Sequence, residues 1–229
     1  MAEHPKRHRP ALFRRRGPVC IADPEAYLAA RWPGEQFEPE ETLPGVRDSL
    51  PAYRIREWNA CVLHAAAAVF CRMGLFPDLS MSQLTDRLER YAQTHGYARR
   101  KNGQYDYNLW FIKRLLRGAA AENGAPGLRL RSHYLWVRRR ILTRLRQGKP
   151  CLLGVVRANG GYYRSHMVTV VCARVYRNVR TGRRVTLLGV RDGYAAGAEH
   201  SRIARSPDEL RWLDLASAPL HNLITADEK

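Results

Sequence analysis

The sequence changes its hydrophobic period once, at Pro150, and that change limits the folds open to it. Before it, apolar residues recur at helical spacing between polar caps. After it come short runs rich in β-branched residues, CLLGVVR from Cys151, MVTVVCARVY from Met167 and RRVTLLGVR from Arg183, separated by the turn signals ANGG and RTGR. Helices first and hairpin-linked strands second predict an α+β arrangement with an antiparallel sheet rather than a doubly wound one. The predicted helices cover Pro24 to Ala30, Ala60 to Met73, Ser80 to just before Gly96, Asp106 to Arg117, Tyr134 to Gln147, and a short one opening at Ser206. Ser80 with Gln83 forms a capping-box pattern, Asn59 suits an N-cap, and Gly74 suits the residue after a helix end.

Three segments follow from composition. Residues 1–18 read as a solvated basic tail, 19–52 as an extended Pro- and Glu-rich approach, and 53–229 as one domain. The approach carries an acidic cluster, Glu35, Glu38, Glu40 and Glu41, able to lie against basic surface elsewhere. The formal charge is +18, almost all from Arg, since Lys occurs only as Lys6, Lys101, Lys113, Lys149 and Lys229. Such a field favours anionic partners, nucleic acid or acidic protein; an Arg-rich genome bias would write the same surface. The stretch from Arg129 to Arg146 mixes Arg with Tyr134, Leu135 and Trp136, and with the basic tail it supports a non-catalytic interaction module as the alternative function. No run reaches the length of a membrane span, and the N-terminus lacks the apolar core of a secretory signal. A cytoplasmic protein is expected, with export by a non-classical signal left open. The 5 cysteines, without a CxxC pair, fit a reducing compartment and argue against disulfides or structural zinc.

Cys61 is the residue that points to chemistry. It sits in the first turn of an Ala-rich helix, where unpaired N–H groups and the helix dipole favour a thiolate. A cysteine in such a helix is more often a small core residue, the reading given to Cys71. A cysteine nucleophile needs a base, and among the 8 histidines His166 stands where the loop ANGGYYRS meets the strand MVTVVCARV. If that strand and the one from Arg183 form a hairpin about the RTGR turn, His166 and Asp192 meet at one sheet edge.

Cys opening an Ala-rich helix, then LRQGKPCLLGVV, SHMVTVVCARV and VTLLGVRDGY, resembles the papain-like cysteine peptidases, in particular the bacteriocin-leader-processing group, over Tyr53 to Leu215. The resemblance implies a two-lobed fold and a thiol protease. In it, Cys61 is nucleophile, His166 base and Asp192 orienter, and a peptide or protein is the substrate. The transglutaminase-like group shares the Cys-His-Asp order but usually has a shorter Cys-to-His spacing. The family's Gln before the Cys is missing here, and Val62 replaces the usual Gly after it. Asn59 is the nearest amide, able to cap the helix or to donate to an oxyanion. Trp58, Tyr162 and Tyr163 are expected to flank the cleft and touch substrate, or merely to pack their loops. The mechanism requires neither metal nor organic cofactor, and an acyl transferase would use the same triad.

Overall fold

The computed structural model describes residues 19–46, 49–51, 53–55, 60–108, 111–193 and 210–227. The basic tail, Trp58, Asn59 and Ser206 lie outside them. Helices and strands are mixed and the sheets are antiparallel, as an α+β chain requires.

One sheet organises the molecule. Its path is β4 (Arg129–His133), β9 (Leu220–Asp227), β5 (Cys151–Ala158), β6 (Tyr163–Asn178), β7 (Arg184–Arg191) and β8 (Arg211–Asp214). β6 is long enough to pair twice on one side: its first half with β5, its second half with β1 (Phe37–Leu43). Side chains alternate through the sheet and feed two cores. Leu152, Val171 and Leu187 join one core, and Leu153, Val170 and Leu188 the other.

Three helices cover the first face. α2 (Cys61–Arg72) is apolar all round, and its residues from Cys61 to Phe70 are buried between the sheet and α3. α3 (Met81–Thr94) is amphipathic, with Leu84, Leu88 and Ala92 inward. Ser80 and Gln83 complete the expected capping box. α4 (Ile112–Glu122) turns Ile112, Leu115, Leu116, Ala119 and Ala120 inward. On the other face lies α5 (Val137–Arg146), seated by Val137, Ile141 and Leu145. The short α1 (Pro24–Arg31) starts at its Asp23 cap. No described helix is long and apolar enough to cross a membrane.

Three sequence expectations are corrected. The helix expected from Asp106 begins only at Ile112, because Asn102 and Gly103, both at positive φ, close a hairpin of β2 (Ala98–Lys101) and β3 (Gln104–Tyr107). The same helix runs through Gly118 rather than stopping there. A Cβ at Gly118 would lie 2.0 Å from the Tyr91 hydroxyl, so glycine serves a close approach, not a break. Second, Tyr134 to Trp136 precede α5 and are 68–75% exposed, while the stretch before them is β4; the buried stripe is Val137, Ile141 and Leu145. Third, Arg211–Asp214 is a strand paired with β7, not part of a helix, because four successive residues are buried there by a neighbouring ladder.

The acidic cluster of the approach segment does meet basic surface. Glu35 pairs with Arg183, Glu40 with Arg184, and Glu41 with Arg146. β1 is thereby held to the edge it occupies.

Candidate active site

The site lies where the start of α2 meets the sheet. Cys61 is the first residue of α2, after Ala60, which caps the helix without a side-chain hydrogen bond. The ladder of β6 with β7 ends at Thr169 opposite Arg191, so His166 and Asp192 lie just beyond it, on the same margin. The hairpin turns through Arg180 to Gly182, the place the RTGR sequence marks.

Cys61 and His166 are within hydrogen-bonding reach of each other. His166 Nε2 is 2.7 Å from the main-chain oxygen of Asp192. A nitrogen bound to a carbonyl must carry the proton, which leaves Nδ1 for the thiol. Both residues are buried, at 6% and 7% exposure. Burial disfavours a charged Cys61, but the His166 imidazole and the N–H groups of Met167 and Val62 outweigh it, and the thiol pKa is lowered. Burial likewise disfavours a charged His166, but the Cys61 sulfur and the nearby Asp192 carboxylate outweigh it, and the imidazole pKa is raised. The two shifts agree in direction: each group favours the charged form of the other. The other cysteines behave differently. Burial raises the pKa of Cys71, and it pushes Cys151 up to about 12.

Asp192 reaches His166 through its main chain because its carboxylate is engaged elsewhere. Oδ1 accepts from Arg211 at 2.5 Å and Oδ2 from the Tyr163 hydroxyl at 3.1 Å. Arg211 and Asp192 form an ion pair in which each side chain is 4% exposed. Tyr163 also stacks on His166, with ring centroids 5.8 Å apart and planes within 3°. Tyr162 and Tyr163 are thus buried supports of the pair rather than walls of the cleft, because the loop before β6 folds them inward. Whether Trp58 or Asn59 contributes lies outside the described residues.

Two further connections hold this margin. Tyr53 is buried and donates to the Arg191 carbonyl at 2.7 Å, and the Ile55 N–H bonds the Gly193 carbonyl. Gly193 is at φ +69°, and a Cβ there would meet the Tyr53 ring at 2.6 Å. On the other side, Asn159 donates to the Trp212 carbonyl and accepts from the Asp214 N–H, tying the loop before β6 to β8. That tie carries Arg211 to Asp192. Neither Arg211 nor Asn159 is marked by sequence: one sits in a segment with helical spacing, the other in a turn signal.

Cys61 and His166 open on a cleft of about 370 Å³, whose walls include Val62, Ile112, Val155 and Met167. Asn222, from β9, also lines it, and its buried Oδ1 has no hydrogen-bond partner among the described residues. His221 lines the cleft too, with Nδ1 on the Ala218 carbonyl. His64 turns the other way, 3.1 Å from Glu89 of α3. No three His, Cys, Asp or Glu among the described residues gather as a metal site.

Compared with known proteins, the sequence matches no family model, and no curated protein matches it.

Proposed function

We propose that the protein is a cysteine hydrolase, a papain-like peptidase in which Cys61 is the nucleophile, His166 the base and Asp192 the orienting residue. One observation carries this reading. A cysteine at a helix N-terminus faces an imidazole whose other nitrogen is fixed 2.7 Å from a main-chain oxygen, within a cleft large enough for a substrate side chain.

The chemistry follows from the arrangement. The Cys61 thiolate attacks a substrate carbonyl and forms a C–S bond, and the carbonyl oxygen takes the electron pair. The N–H of Cys61, at the helix start, is the oxyanion donor the fold offers. The imidazolium of His166 gives its Nδ1 proton to the leaving amine as the C–N bond breaks. Water, deprotonated by His166, then attacks the thioester, releases the acid and restores the thiol. An amine in place of water would make the same site an acyl transferase. Asp192 holds the ring through its carbonyl, while its carboxylate, fixed by Arg211 and Tyr163, keeps that carbonyl in place and favours the imidazolium.

The test is an acyl-enzyme trapped by acid quench after mixing with a peptide p-nitrophenyl ester, read by intact mass. The reading requires one added acyl group on the wild type, mapped to Cys61, and none on Cys61→Ser. Labelling that persists on Cys61→Ser, or that falls equally on Cys71, contradicts it.

A further inference from the structure

The Cys61 cleft continues into a groove of about 1590 Å³, and the two share Ile112, Tyr134, Ser165 and Asn222. Beyond the shared residues the groove changes character. Arg99 of β2 and Lys113, Arg114 and Arg117 of α4 line it, with Asp106 as its carboxylate. Among the described residues, none of these four cations is in an ion pair, although Arg117 donates to the Leu130 carbonyl. Some arginines elsewhere are matched, Arg146, Arg183 and Arg184 by the acidic approach segment and Arg144 by Asp227, while others, such as Arg138 and Arg139 of α5, are in no ion pair among the described residues. Positive charge is neutralised along β1, and among the described residues the four cations beside the cleft are in no ion pair. Unpaired cations in a concave wall concentrate their field on whatever enters.

We infer that this groove is a subsite for an anionic peptide segment: the substrate places an uncharged residue at Cys61 and carboxylate side chains several residues to one side. This deepens the proposed peptidase reading and rests on it for the position of the reacting carbonyl. The cleft itself decides between peptide and nucleic acid. Among the described residues it has no Lys or Arg in its lining, while Val62, Ile112, Val155 and Met167 form its walls. A polymer charged at every residue would carry a phosphate into that apolar end and lose its hydration without a partner. A peptide can alternate, with apolar or small residues in the cleft and carboxylates in the groove. Exposed aromatic surface at Phe111 and Tyr134 adds contact for a peptide chain between the two.

The experiment uses three fluorescent peptides of about twelve residues with one uncharged central stretch, flanked by Glu, Gln or Lys. Binding is read by anisotropy on Cys61→Ser, and turnover on the wild type. At low salt the Glu peptide should bind about tenfold tighter than the Gln peptide and lose that advantage near 0.5 M NaCl. Arg99→Glu with Arg114→Glu should abolish the preference, whereas Arg138→Glu on α5 should leave it in place. Equal binding of the Glu and Gln peptides overturns the inference, as does a preference that survives the double reversal. Stronger binding of a single-stranded oligonucleotide of matched charge also overturns it, and assigns the groove to nucleic acid. Turnover of the Gln peptide without any Glu preference removes the subsite but leaves Cys61 as nucleophile. A Glu preference in binding without turnover of any peptide supports the subsite and removes the peptidase reading.

Discussion

Replacing Arg211 by Met tests whether the ion pair beneath His166 is structural. Arg211 Nη1 and Asp192 Oδ1 are 2.5 Å apart and each side chain is 4% exposed. Removing one partner of a buried pair leaves an uncompensated charge and costs about 3–5 kcal/mol. That is a large share of the ~5–15 kcal/mol that holds a typical domain folded. In urea it corresponds to a midpoint lowered by about 1–2 M, readable from tryptophan fluorescence. The companion Asp192→Asn should cost a similar amount, because it strands the guanidinium. The double variant should be no less stable than either single one, since no buried charge is left unpaired. The same samples report on the site. Asp192→Asn keeps the main-chain oxygen that His166 uses, yet both single variants should slow Cys61 alkylation because that oxygen is held by the pair. An Arg211→Met loss below about 1 kcal/mol, or a double variant whose cost is the sum of the two, would refute the reasoning.

Two further perturbations probe the same margin. Gly193→Ala puts a Cβ 2.6 Å from the Tyr53 ring at φ +69°, so it should destabilise by about 2–4 kcal/mol, measured by urea unfolding, and Tyr53→Ala should recover none of the φ strain. Wild-type stability in Gly193→Ala would mean that Tyr53 is not packed there. Asn159→Ala removes the amide that links the loop before β6 to β8, leaves the buried Asp214 N–H without its acceptor, and should cost about 1–3 kcal/mol. Hydrogen exchange should then rise first in Arg211–Asp214, and an unchanged rate there would break the proposed tie.

Much of the site could be read in the sequence because it depends on short-range rules. A cysteine after polar residues and before an Ala-rich run has to lie at a helix start. A hairpin about RTGR has to bring His166 near Asp192, and the ladder from Thr169 and Arg191 to the turn follows that logic. What the sequence hides depends on long-range pairing. β1 reads FEPEETL, poor in strand formers and interrupted by Pro39. It is a strand because it occupies an edge, slips register at Pro39, and pairs its glutamates with arginines of β7 and α5. Arg211 and Trp212 sit in a segment with helical spacing in sequence but pair in a ladder in space. His166 meets Asp192 at its main-chain oxygen. The carboxylate goes instead to Arg211 and Tyr163, partners that nothing local identifies. Of the two places open to Tyr162 and Tyr163, the cleft flank or the packing of their loop, the structure shows the second: three successive positive-φ residues, Asn159 to Gly161, swing them into the core.

The most direct test of the central claim is the pH dependence of Cys61 alkylation. The folded protein is treated with limiting iodoacetamide between pH 5 and 9, the modified cysteines are mapped by mass spectrometry, and the series is repeated on His166→Ala. An ordinary thiol is only about 1% ionised at pH 6.5. The lowered Cys61 pKa and the raised His166 pKa favour the thiolate, so Cys61 should react at lower pH than Cys71 and Cys151, whose pKa values burial raises. Without His166, burial acts on the thiol with less opposition, and the reactivity of Cys61 should move to higher pH. A Cys61 that stays as inert as Cys151 across the range, or whose profile is the same in His166→Ala, would contradict the account.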